Sequence, residues 1–231
     1  LARRGLNVVL ISRTLEKLQT IATEIAGSTG RSVKIIQADF TKDDIYEYIK
    51  ESLKGLEIGV LVNNVGMLAS RVPSHFLTTP DSIQSLIHCN ITSVIKKKGL
   101  ILNISSGASL RPWPLFSLYS ASKAFVRMFS KALQMEYREK GIIIQVLTPF
   151  AVSTAMTNYR DTSMMTKSAD GFVKESLNYV MAGDEACGSL AHEILGQFLN
   201  LIPSWIFYSQ AFQSLLLTCQ SDDRTQNRKV N

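Results

Sequence analysis

One stretch, Leu100 to Lys123, constrains this chain more than any other. It begins Leu-Ile-Leu-Asn-Ile, an apolar and largely branched run, and passes into Ser105-Ser106-Gly107. Such a run reads as a buried strand with hydroxyls at its C-terminal end. Pro112 and Pro114 flank Trp113 in a connector. From about Leu118 the pattern turns helical, with Ala121, Ala124, Phe125, Met128, Phe129 and Leu133 recurring every three or four positions. Tyr119 and Lys123 are four apart and share one face of that helix, their Cβ atoms roughly 5–6 Å apart.

That spacing has a chemical use. A free tyrosine, with a pKa of about 10, is a poor acid or base at neutral pH. An ammonium on the next turn favours the phenolate and lowers that value. The phenol can then exchange a proton with an alcohol or a ketone. Ser106, at the strand tip, is placed to hydrogen-bond the same oxygen. A bare Tyr-x-x-x-Lys is commonplace on helix surfaces and becomes specific only behind a hydroxyl-bearing strand.

Three motifs in order, Asn63-Asn64-Val65-Gly66, Ile104-Ser105-Ser106-Gly107 and Tyr119-Ser120-Ala121-Ser122-Lys123, make the chain resemble a short-chain dehydrogenase/reductase. The resemblance spans roughly Leu1 to Ala155. It narrows toward a subgroup whose members reduce 17-ketosteroids, with very-long-chain 3-oxoacyl-CoA reductases as near cousins. The fold it implies is an α/β, Rossmann-like, doubly wound parallel sheet.

Composition sets the outer bounds. A length of 231 residues with 45% hydrophobic content can bury a core, and one domain is the expectation. There are 25 basic against 19 acidic residues, but the only dense basic run is Lys96-Lys97-Lys98, without interleaved aromatics. Nucleic acid is therefore not an expected partner. Cys89, Cys187 and Cys219 are an odd count with no Cys-x-x-Cys spacing, which argues for free thiols on a reducing, cytosol-facing side. His75, His88 and His192 are scattered, so no metal site is expected.

In order along the chain, Leu1 to Gly5 reads as a last helical turn closed by glycine. Strands are expected at Asn7 to Ser12, Val33 to Ala38, Ile58 to Val62, Leu100 to Ile104 and Ile142 to Leu147. Helices are expected at Leu15 to Ala26, Asp43 to Leu53, Asp81 to about Ile95 and Tyr119 to about Glu139. Strand alternating with helix means a parallel sheet with right-handed crossovers.

Two departures from the family pattern stand out. A dinucleotide fold opens with a strand and a glycine-rich turn that cradles a pyrophosphate. No GxxxGxG or GxGxxG occurs here. The resemblance implies that the first, central strand and its turn are missing, leaving the first and third strands seen here without a shared neighbour. Unpaired buried backbone groups cost roughly 1–3 kcal/mol each, so the expectation is a fragment or a truncated product that folds poorly. Second, Asn90 matches an asparagine of the family, but fewer positions separate it from Ser106 than the family spacing implies. That places the helix carrying Asn90, and any homodimer contact built on it, in doubt.

The resemblance also implies the remaining site. Arg13, after the first strand, is where a guanidinium would pair with a 2′-phosphate, implying NADPH. Asp39 matches the position beside the adenine ring, and Asn63 and Gly66 the loop lining the adenosine side. Val152 and Thr154 belong to a segment matching one that contacts nicotinamide. Phe150 stands where the wider family usually has glycine, narrowing the pocket and meeting an apolar substrate. Catalysis falls to Tyr119 as proton donor, Lys123 as its pKa-lowering and ribose-holding neighbour, Ser106 as carbonyl-orienting hydroxyl, and Asn90 through a fixed water.

Beyond Ala155 the pattern weakens. Met156, Tyr159, Met164, Met165 and Phe172 suit a lid over an apolar ligand or an ordinary loop with buried methionines. The incomplete dehydrogenase domain is placed at 1–193, an apolar segment at 194–219 and a disordered polar tail at 220–231. Trp205, Phe207 and Tyr208 suit either a membrane-surface segment or a helix packed on the domain. The resemblance implies an endoplasmic-reticulum membrane enzyme anchored by a segment upstream of this chain. Its implied reaction is reduction of androstenedione to testosterone. The alternatives are a 3-oxoacyl-CoA reductase and a membrane-associated fragment that binds without turnover.

Overall fold

The computed structural model describes residues 1–42, 44–67, 100–180 and 183–217. The chain forms two compact units, Leu1–Glu57 and Ile58–Asn231.

In the first unit a 3₁₀ turn, Ala2–Arg4, is closed by Gly5 at φ 96°. Strand β1 (Val8–Ser12) leads into helix α1 (Leu15–Thr29), and strand β2 (Val33–Gln37) pairs parallel with β1, Ser12 opposite Gln37. The helix runs through Gly27 and stops at Gly30, where φ is 66° and the amide donates to the Ala26 carbonyl. Gly27 is a tolerated interior glycine; Gly30 adopts the left-handed cap that glycine accepts without steric cost. Helix α2 (Ile45–Ser52) closes the unit. Leu18, Ile36, Ala38 and Ile45 are its buried apolar side chains.

The second unit carries a four-stranded parallel sheet in the order β3 (Val60–Asn63), β4 (Leu100–Ile104), β5 (Ile143–Leu147) and β8 (Glu185–Ala186). Helix α3 (Ser117–Tyr137) crosses from β4 to β5. Its start is set by Leu115, a buried residue held at φ 68°, which a β-branched side chain would tolerate poorly. Ile101, Leu102, Val126, Ile144, Val146 and Leu147 fill the core between sheet and helix. After β5, strands β6 (Val152–Ser153) and β7 (Lys167–Ser168) pair with each other. Helices α4 (Ala169–Ser176), α5 (Leu190–Leu201) and α6 (Ser204–Tyr208) follow, and 210–217 is helical.

Within the described residues the sheet is parallel, as the alternating pattern predicts. Strands β1 and β3 belong to different sheets. The helix expected at Asp81 to Ile95, the Lys96–Lys98 run and Asn90 lie outside the described residues. So do Cys89, Cys219, His75, His88 and the polar tail.

The apolar C-terminal segment divides its aromatics. Phe207 is buried, edge-on to Trp113 at 5.9 Å and to Phe212 at 5.1 Å. Trp205 and Tyr208 are exposed. Arg111 fastens the segment by donating to the Asn200 carbonyl at 2.6 Å, which satisfies a carbonyl in the last turn of α5. Among the described residues no helix is long and apolar enough to cross a membrane.

Candidate active site

In a parallel sheet with α crossovers, ligands gather beyond the C-terminal ends of the strands. In the second unit that edge carries Asn63 on β3, Ser106 just past β4, and the residues from Thr148 onward past β5. The chain leaves β4 with Ser105 buried, its hydroxyl donating to the Lys123 carbonyl at 2.7 Å. Ser106 turns outward in extended backbone, and its Oγ accepts from the Ala108 amide at 3.2 Å, capping the turn Gly107–Ser109. That leaves the Ser106 O–H free of a backbone acceptor and near enough to the Tyr119 phenol to lower its pKa.

Helix α3 brings Lys123 beside them. Its side chain is almost wholly buried, and Nζ donates to the Ile104 carbonyl at 3.0 Å and lies 5.9 Å from the centroid of the Tyr119 ring. Ser106, Tyr119 and Lys123 thus converge as the sequence predicts. Their electrostatics do not follow the prediction. Burial pushes the Tyr119 phenol above its ordinary value, and the partner that pulls it back is Ser106. Lys123 is not among the causes of that shift. The direction differs from the expectation that Lys123 sets the phenol's acidity: burial is the largest cause of the shift.

The other residues are placed as follows. Asn63 directs its amide sideways: Nδ2 donates to Asn103 Oδ1 at 2.7 Å, and Asn103 Nδ2 donates to Ser130 Oγ at 2.8 Å. This chain ties β3 to β4 to α3 with Asn103 and Ser130 completely shielded from water. Asn103 was a visible signal: a polar residue inside an apolar strand must find partners. Gly66 lies beyond β3, three positions after Asn63.

Phe150 packs inward. A Cβ on Gly107 would overlap its ring, and the ring also meets His192 at 5.8 Å and abuts Gly196. Val152 begins β6, and its carbonyl accepts from Thr157 Oγ1 at 2.7 Å. The Thr154 amide donates to Thr157 Oγ1 at 2.9 Å, so this stretch is a fixed turn. Of the residues proposed as a lid, Phe172 is buried core, whereas Tyr159 and Met164 are more than two-thirds exposed. Sequence reasoning passed over His192, which is fully buried between Phe150 and Phe172.

In the first unit Arg13 is exposed just past β1, and its carbonyl accepts from Gln37 Nε2 at 3.0 Å. Asp39 follows β2, and its Oδ1 accepts from the Thr41 amide at 3.1 Å and hydroxyl at 2.8 Å. Those bonds, with Arg13 and Lys42 nearby, hold its carboxyl below the usual range. Both residues sit at the C-terminal edge of their own sheet. Among the described residues no His, Cys, Asp or Glu cluster could hold a metal.

A family model described as short chain dehydrogenase matches residues 1–164, and the chain belongs to that family. The chain is 72% identical over 230 residues to 17-beta-hydroxysteroid dehydrogenase type 3 of Homo sapiens, covering 94% of this chain and 74% of that protein. It is 40% identical to very-long-chain 3-oxoacyl-CoA reductase of Homo sapiens, covering 90% and 71%. Among solved structures it resembles a short-chain dehydrogenase from Sphingobium yanoikuyae in complex with NADPH, with TM-score 0.72, 27% identity and 86% and 84% coverage. A 7beta-hydroxysteroid dehydrogenase structure shares the fold, with TM-score 0.78 at 20% identity over 89% of this chain and 87% of that one.

Proposed function

We propose that the chain reduces a 17-ketosteroid, androstenedione to testosterone, with NADPH as hydride donor. The observation that carries this reading is the geometry on α3, where Lys123 lies one helical turn from Tyr119 with Nζ 5.9 Å from its ring and bonded to the Ile104 carbonyl, just before Ser106. The donor set also suits the cofactor. Strand β1 ends at Ser12 and Arg13 follows it, an exposed guanidinium suited to a 2′-phosphate.

When bound, NADPH supplies a hydride to the carbonyl carbon. Ser106 orients the ketone oxygen by donating to it. Tyr119 transfers its phenolic proton to that oxygen as negative charge develops there, giving the alcohol. A phenol kept neutral by burial is in the protonation state that reduction consumes. Lys123 would hold the nicotinamide ribose through its ammonium, and Asn90, outside the described residues, is the family position that would relay a proton through water. In the first unit Arg13 would hold a 2′-phosphate and Asp39 would meet the adenine; in the second, Asn63 and Gly66 would contact the adenosine and Val152 and Thr154 the nicotinamide.

A steroid is favoured over an acyl-CoA thioester by the 72% identity to the steroid enzyme against 40% to the reductase. At the membrane, Leu190, Ile194, Phe198, Leu201, Trp205 and Tyr208 form an exposed apolar stripe suited to the lipid interface of the endoplasmic reticulum.

The test is direct. Purified chain is mixed with NADPH and either androstenedione or a very-long-chain 3-oxoacyl-CoA, and NADPH consumption and product are followed. Testosterone formation is the expected result. Turnover of the thioester alone, or NADPH binding without turnover of either, overturns it.

A further inference from the structure

The segment after β5 leaves the sheet at Thr148, passes Phe150, forms β6, turns through 155–166 and returns along β7 to α4. Under the proposed function it carries two walls of one cleft. Val152 and Thr154 would face the nicotinamide, with the Phe150 ring packed inward, and the methionine-bearing turn would cover the substrate. A two-residue ladder between β6 and β7 is a slender link for so long an excursion.

Within the excursion Ser153 Oγ donates to the Arg160 carbonyl at 2.7 Å and the Tyr159 amide to the Thr154 carbonyl at 2.8 Å; His192 adds a tie from outside it, to α5. It lies in the first turn of α5, where its amide donates to Ser189 Oγ at 3.3 Å. Its ring is wholly buried, edge-on to Phe150 at 5.8 Å and tilted against Phe172 at 5.9 Å. The Phe150 amide, which can only donate, meets Nδ1 at 3.4 Å. The Met165 carbonyl, which can only accept, meets Nε2 at 3.1 Å. One neutral tautomer satisfies both, with Nδ1 bare and Nε2 protonated. A carboxamide or a hydroxyl is too short to span both contacts, so imidazole is the side chain that bridges them.

We propose that His192 is a positioning residue that fastens the Met165 turn to the backbone at Phe150, so that the substrate-side and nicotinamide-side walls hold one spacing. This rests on the reductase reading for what the walls touch, but the tie itself is independent of it. Burial holds the imidazole's pKa below its ordinary value, consistent with a neutral bridge.

The test splits the bridge. In His192→Asn the amide oxygen stands near the position of Nδ1 and nothing reaches Met165. In His192→Gln the longer amide stands near Nε2 and the Phe150 contact is lost. Hydrogen exchange of the full chain is read separately at the Phe150 amide and across 155–166, alongside steroid KM and kcat with NADPH. Each broken contact is expected to accelerate exchange about tenfold on its own side only. His192→Asn is expected to raise steroid KM with kcat nearly kept, and His192→Gln to lower kcat. Equal acceleration on both sides in both variants, no change in either, or loss of folding in both overturns the proposal. Split exchange in a chain without steroid turnover sustains the tie and sinks the reductase reading instead.

Discussion

The Phe150 ring fills the space that a side chain on Gly107 would need. A β-carbon built on Gly107 would come within 2.7 Å of Phe150 Cζ, and His192 and Gly196 back the ring from behind. Glycine after Ser106 and phenylalanine after Pro149 are therefore one packing unit, and it fixes the backbone that carries the Ser106 hydroxyl. Gly107→Ala is expected to cost about 1–3 kcal/mol in unfolding free energy and to lower kcat by shifting Ser106. Removing the ring as well, in Phe150→Ala, relieves the overlap, so the double variant loses less than the two single losses together. Additive losses in denaturant titrations would contradict this packing.

Tyr119→Phe is expected to cut turnover about 10²- to 10⁴-fold while NADPH binding, read by fluorescence, is retained. The pH dependence follows from burial pushing the phenol up and Ser106 pulling it down. Steroid oxidation, the reverse direction, needs the phenolate and rises with pH toward that raised value. Ser106→Ala removes the lowering bond, so the alkaline limb of the oxidation profile moves to higher pH. A limb that moves to lower pH would refute the arrangement.

Arg13 tests cofactor choice without touching the reacting atoms. Arg13→Asp places a carboxylate where the 2′-phosphate is proposed to lie. NADPH affinity should fall by about 10- to 100-fold, the worth of a charged hydrogen bond, while NADH affinity holds or improves. Equal weakening of both, measured by titration calorimetry, would remove Arg13 from the site.

Asn103→Leu breaks the buried chain from Asn63 to Ser130 and leaves Asn63 Nδ2 without its acceptor. The expected cost is about 1–3 kcal/mol, read as a lower urea midpoint, because both hydrogen bonds of Asn103, to β3 and to helix α3, are lost. A change of under half a kilocalorie would mean that the network relaxes around the loss.

Glu185 on β8 accepts from Arg127 and Lys131 on α3. Burial alone would raise its carboxyl, but the bonds from both cations bring it below its ordinary value of 4.5. A depressed carboxyl contributes stability above 4.5 that fades as pH falls through the folded value. Thermal melts of the chain and of Glu185→Gln should differ at neutral pH and converge in acid. Parallel curves at every pH would rule out the linkage.

The sequence alone determined the periodic elements and the three residues that converge. Leu100–Ile104 reads as a strand because a buried parallel strand must be apolar on both faces, and its bounds agree with the structure. Tyr119 and Lys123 share a helix face by spacing alone, and Ser106 at a strand tip follows from local pattern. Only the tertiary structure decided what surrounds them. It set the sign of the Tyr119 shift, because desolvation depends on what packs over the phenol and not on which residue lies four positions away. It also turned Phe150 against Gly107 and paired Asn63 with Asn103. Both are contacts between residues distant in the chain, and no local periodicity encodes them. His192 joins Phe150 and Met165 for the same reason: its partners are defined by where β5 and α5 come together in space.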